Sequence, residues 1–119
     1  MLFRSTARAA GTEWADLATT LDGLVQQLGT VTAALWAQGD PQVALANASV
    51  YLEAAGHVVV GWLWLEQALA TEGRDGDFYA GKRQAARYFQ HWELPKVGPQ
   101  LALLASLDST VLEMRSDWF

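Results

Sequence analysis

Val43-Ala44-Leu45-Ala46-Asn47-Ala48-Ser49-Val50-Tyr51-Leu52-Glu53-Ala54-Ala55-Gly56-His57-Val58-Val59-Val60-Gly61-Trp62-Leu63-Trp64-Leu65 is the stretch on which the fold turns. It is long and apolar enough for a membrane span. It carries Asn47, Glu53 and His57, however, and lacks the flanking Lys or Arg that fix a span at the interface. The expectation is a buried helix and no membrane span. The Val58–Leu65 run has strand propensity, but helical patterning continues on both sides of it, which favours a helix over 41–72. On a helical wheel, Val43, Val58, Leu65 and Leu69 form one apolar side, and Leu45, Leu52, Val59 and Leu63 form another. Ser49, Glu53, Gln67 and Thr71 leave only a narrow polar stripe, which Val60 and Trp64 share. A helix apolar on two sides needs more than one neighbour, so it belongs at the centre of the assembly. Val60 and Trp64 are the candidate interface residues.

Upstream, Trp14, Leu17, Leu21, Leu24, Leu28, Val31 and Leu35 recur at spacings of three and four. That stripe predicts an amphipathic helix over 12–38. Gly39-Asp40-Pro41 ends it, glycine serving the left-handed C-terminal position and proline the first turn of the next helix. Downstream, Gly73 to Gly76 is a break, and Asp75 or Asp77 is a candidate cap for a helix over 77–93 that Pro95 closes. Phe78, Ala85, Phe89 and Trp92 fall on one arc of it, with Arg83, Arg87 and His91 on the far side. A last helix fits 99–107, and Asp108-Ser109-Thr110 caps a terminal turn over 109–115. Residues 1–119 therefore read as a single all-α domain, an antiparallel four-helix bundle-like arrangement with a tail.

Composition supports a folded chain: 51% of residues are hydrophobic and 18% charged, with six Trp. The absence of cysteine removes disulfides, thiolate metal sites and a thiol nucleophile, and leaves a cytoplasmic location as the default. A net charge of −5 disfavours nucleic acid as a partner. Met1 to Gly11 has no apolar run of the kind a secretory signal needs.

No complete active site is spelled out. A di-metal bundle needs repeated Glu-x-x-His pairs, whereas Glu53 and His57 stand four apart and occur once, and Glu66 and Glu93 do not complete a ligand set. There is no glycine-rich phosphate loop, no His-Glu-x-x-His and no nucleophile elbow. Catalytic, cofactor-binding and metal-binding residues are therefore expected to be absent from this chain. The one charged feature is the stripe of Arg83, Arg87 and His91, with Lys82 and Lys96 nearby. It is either a phosphate-binding surface, since guanidinium groups grip phosphate in bidentate fashion, or a set of ion-pair partners for a neighbouring acidic surface. The second reading is favoured.

In order along the chain come Ala44-Leu45-Ala46-Asn47-Ala48, Tyr51-Leu52, Gly56 through Trp64, Ala68, Phe78-Tyr79-Ala80-Gly81-Lys82, Ala85-Ala86-Arg87-Tyr88-Phe89, Leu94-Pro95 and a closing Asp108 to Phe119. This order resembles the extra C-terminal helical domain of the larger acyl-CoA dehydrogenases, the subgroup that includes 3-methylmercaptopropionyl-CoA dehydrogenase-like enzymes. The first helix fits the segment that precedes it there. The resemblance implies a longer parent flavoenzyme that oxidises an acyl-CoA thioester between its α and β carbons with FAD and hands electrons to a flavoprotein. The catalytic Glu and the FAD-binding residues of such enzymes lie in the preceding domains, so none is carried over here. It also implies the preceding dehydrogenase domains and a homo-oligomer as partners, with acyl-CoA bound only in the intact enzyme. The expected role is that of an accessory domain serving packing, oligomer contacts or cover over the CoA region. The alternative is a freestanding helical interaction module that dimerises through its second helix; Met1 fits either.

Overall fold

The computed structural model describes residues 2–119, which form helices joined by short turns and contain no strand. The helices are α1 (Leu2–Ala9), α2 (Ala15–Trp36), α3 (Pro41–Leu45), α4 (Ala48–Ala70), α5 (Asp77–Tyr88), α6 (Val97–Ala105) and α7 (Thr110–Glu113). α4 is central and packs against α1, α2, α5 and α6. The α2 stripe faces inward, with Trp14, Leu17, Leu21, Val31 and Leu35 buried against Val58, Leu65, Leu69, Leu101 and Leu104. Tyr51 and Thr32 link α4 to α2 through a hydroxyl–hydroxyl bond of 2.8 Å.

Four local features depart from the sequence expectation. First, α1 is a helix that the sequence reading leaves out. Its attachment is polar: Trp62 Nε1 donates to Ser5 Oγ at 3.0 Å, Ser5 Oγ donates to Glu66, and Arg8 donates to the same carboxylate at 3.3 Å. Hydrophobic periodicity does not register such contacts.

Second, the expected helix over 41–72 is interrupted at Ala46-Asn47, between α3 and α4. Asp40 caps α3 by accepting from the Gln42 N–H at 2.9 Å, while the Asn47 amide reaches out to the Asp108 carbonyl at 2.9 Å.

Third, the chain stays helical through Pro95. α5 runs into a π-helical turn at Phe89–Glu93, a 3₁₀ turn at Leu94–Lys96, and then α6. Pro95 and Pro99 sit in first turns, where no backbone N–H is required. The π turn alters the helical phase from Phe89 onward, and the arc of Phe78, Ala85, Phe89 and Trp92 does not face the core as a unit. Ala86 is buried, whereas Phe78 and Trp92 are both 69% exposed. Neither Asp75 nor Asp77 caps α5; its cap is Gly76, held at φ +111°.

Fourth, α4 is not buried all round. Among the described residues it is the helix long and apolar enough to cross a membrane by length and composition, yet only 22% of that window is buried. Of its two apolar sides, Val58, Leu65 and Leu69 form the core, and Leu52, Val59 and Leu63 are exposed.

Candidate functional site

The basic stripe is split by the structure, and its arginines turn inward. Arg83 donates to the Thr71 and Arg74 carbonyls, both at 3.3 Å, and so closes the α4–α5 turn. Arg87 donates to Glu13 at 3.0 Å and to Gln84 at 3.2 Å, with its guanidinium 5.4 Å from the centre of the Trp14 ring. An acidic partner of Arg87 thus lies in the α1–α2 turn of this same chain, 74 positions away. His91 is exposed and joins neither contact. Beside them is an open cleft of about 300 Å³ between Trp14 and the α4–α5 turn, lined by Arg74 and Arg83 but also by Glu13, Glu72 and Asp75. That mixed lining gives a phosphate no net attraction.

Glu53 and His57 take separate roles. The His57 Nδ1 lies 3.0 Å from the Glu53 carbonyl, and its Nε2 lies 3.2 Å from Glu93, whose same oxygen accepts from Lys96 at 2.9 Å. The His57 ring packs beside Phe89 with centroids 5.8 Å apart. This cluster fastens the π turn to α4. Hydrogen bonds from Lys96 and then His57 hold the Glu93 carboxyl below the ordinary glutamate value, and Glu93 lifts Lys96 above the ordinary ammonium value. The Glu93 contribution to stability is therefore present above its unfolded value and lost as pH falls through the lower folded one. The Lys96 contribution is present below its unfolded value and lost as pH rises through the raised one. Glu93→Gln is accordingly expected to melt below the parent at pH ~7, with the gap narrowing as pH drops toward ~3; scanning calorimetry across that range measures it. A gap that widens in acid would contradict this assignment.

Val60 and Trp64 lie on the side of α4 toward the start of α5. Val60 is 40% exposed and Trp64 half-buried. Lys82 Nζ lies 5.8 Å from the centre of the Trp64 ring and 5.5 Å from that of Phe78, so the cation is shared between the two faces. Phe78 meets Tyr79 edge to face at 5.3 Å. Together Val60, Trp64, Phe78 and Lys82 form an apolar surface with one cation at its rim. The sequence reading names Val60 and Trp64 but not Phe78, which it places inside, nor Lys82 as their partner. Lys82 stands four positions after Phe78, one helical turn, so that pairing was legible from spacing.

The described residues hold no cluster of three or more His, Asp or Glu that would suit a metal ion. The fold is all-helical, built round a central helix with two apolar sides. Residues 2–115 match the family described as "Acetyl-CoA dehydrogenase C-terminal like". The chain belongs to that family, whose members are C-terminal accessory domains of acyl-CoA dehydrogenase-like enzymes. Searches of curated proteins and of solved structures each found no match.

Proposed function

We propose that this chain serves by contact and not by chemistry: it is the part of an acyl-CoA dehydrogenase-like flavoenzyme that seats on the preceding dehydrogenase domains through Val60, Trp64 and Phe78. The observation that carries this is the exposed apolar surface on a helix whose core side, Val58, Leu65 and Leu69, is already packed within the chain. A domain with its own core does not need that surface, and exposed apolar patches mark contact sites. Lys82 at the rim gives the contact a polar edge of the usual kind.

FAD, which such a parent uses to accept a hydride from the acyl β carbon, finds no ready cradle on the Arg83–Arg87 stripe. A dinucleotide's pyrophosphate needs free backbone N–H groups or unengaged arginines. In this chain Arg83 is spent on carbonyls and Arg87 on Glu13 and Gln84. By the family resemblance the flavin and the catalytic Glu belong to the preceding domains, in a cytoplasmic enzyme of the subgroup resembling 3-methylmercaptopropionyl-CoA dehydrogenases. The exposed Leu52, Val59 and Leu63 favour a second reading in addition, self-association, which the freestanding alternative would also use.

The test is a calorimetric titration of the chain into flavin-loaded dehydrogenase domains. Saturable binding is expected, reduced at least tenfold by Val60→Asp, which loses apolar burial and strands a charge at the contact. Equal binding by the variant would reject this surface.

A further inference from the structure

We infer that the preceding dehydrogenase domains present a carboxylate to Lys82, beside a large apolar side chain that fills the adjoining depression; this rests on the proposed seating through Val60, Trp64 and Phe78.

A continuous ladder of rings and cations joins the second half of α4 to the start of α5. Arg74 lies over the Tyr79 ring at 5.7 Å, and Tyr79 meets Phe78 edge to face at 5.3 Å. Lys82 Nζ stands 5.5 Å from the Phe78 centroid and 5.8 Å from that of Trp64. Ring faces are electron-rich, so the ladder holds both cations without cancelling their charge. It also holds the rings, which spares a partner the cost of ordering them. Helical spacing builds the ladder: Phe78 and Lys82 are one turn apart on α5, as Val60 and Trp64 are on α4.

An open depression of about 230 Å³, room for one large apolar side chain, is lined by Gln67, Ala70, Thr71, Phe78, Tyr79 and Lys82. No carboxylate stands in its wall, and the Thr71 hydroxyl is spent on the Ala68 carbonyl at 2.6 Å. Lys82 therefore supplies the charge there. The chain carries thirteen acidic side chains against eight basic ones, yet among the described residues no ion pair reaches Lys82. The other lysine, Lys96, is held by Glu93 at 2.9 Å. Of the acids near the ladder, Glu72 and Asp75 line the separate cleft beside Trp14, and Asp77 sits in the first turn of α5, where it complements the helix N-terminus. Lys82 is shared by Trp64 and Phe78, so a segment that spans both rings crosses the ammonium and strips water from it. The rings offset part of that cost but bring no counter-charge, and a desolvated ammonium without one is expensive. The seated segment thus has to bring the carboxylate itself.

The experiment is the titration of the chain into flavin-loaded dehydrogenase domains at low and high salt. Lys82→Met keeps the apolar stem and removes the charge. It should weaken binding at least tenfold at low salt and flatten the salt dependence, while Lys82→Arg stays within about threefold of the parent. Ala70 is exposed and lines the same depression, so Ala70→Glu, which offers Lys82 an internal carboxylate, should weaken binding without touching the core; an unchanged Tm confirms the fold. Lys82→Glu should abolish binding, and one Asp→Lys or Glu→Lys change on the dehydrogenase surface should restore it. Parental affinity and salt dependence in Lys82→Met, with binding still lost in Val60→Asp, would overturn the carboxylate and leave the seating intact. Unchanged binding in Val60→Asp would overturn both. Heat on diluting the concentrated chain alone, lost in Lys82→Met, would put a second copy on this site in place of the dehydrogenase domains and overturn the inference.

Discussion

Gly61→Leu is expected to destabilise the domain by at least ~3 kcal/mol, overpacking at the upper end of its usual range. Gly61 lies where α4 meets α2 and the π turn. A Cβ there would stand 2.9 Å from Leu21 Cδ2, 3.1 Å from Leu94 Cδ1 and 3.3 Å from Phe89 Cε1. These are side-chain tips, so Gly61→Ala can be absorbed: small shifts of Leu21 and Leu94 offset the helix propensity gained, about 1 kcal/mol. A leucine needs three more carbons of space, and Leu21 and Leu94 are themselves buried. In a chain of this size the loss corresponds to a fall in Tm of roughly 10 °C. Leu21→Ala made in the Gly61→Leu background should cost less than the same change made alone, because the new side chain fills the space vacated. Urea melts of the four proteins measure both effects. Strict additivity would mean that α4 and α2 do not meet at Gly61.

Leu65→Ala should cost about 3 kcal/mol, within the range for truncating a buried leucine, while Leu52→Ala should change stability by less than about 0.5 kcal/mol. The two residues share a helix and a chemistry and differ in surroundings: Leu65 is 0% exposed and Leu52 is 73% exposed. The comparison is made at protein concentrations low enough for single chains, since association would protect Leu52 by mass action. Equal losses at the two positions would mean that both apolar sides of α4 are core.

That pair also marks where the sequence stops being informative. Its periodicity shows that α4 has two apolar sides but holds nothing to say which side this chain covers, because Val58 and Val59 are alike as side chains. The α2 stripe was fully legible, since one apolar side in a helix of that length has one reading. α1 was not, because it is held by Ser5 and Arg8 on Glu66, polar contacts across about sixty positions. The π turn was hidden for another reason. A π turn leaves composition unchanged but changes the phase of the residues within and after it, so Trp92 does not share a buried face with Ala86. Among the site residues, Val60 and Trp64 could be read from the wheel, and Lys82 from its spacing to Phe78. The inward turn of Arg83 and Arg87 could not, because Arg87 finds Glu13 only when the α1–α2 turn is folded against α5.

The most direct test of the claim that this domain acts by contact alone is a single titration followed by two signals, heat and acyl-CoA-dependent bleaching of flavin absorbance. The pure chain with FAD and acyl-CoA should give neither binding heat nor bleaching. Added to flavin-loaded dehydrogenase domains, it should bind saturably, with the heat abolished or weakened at least tenfold in Val60→Asp and the flavin chemistry confined to the dehydrogenase partner. Flavin binding with bleaching by the pure chain, or no binding to the dehydrogenase domains at all, would contradict the account.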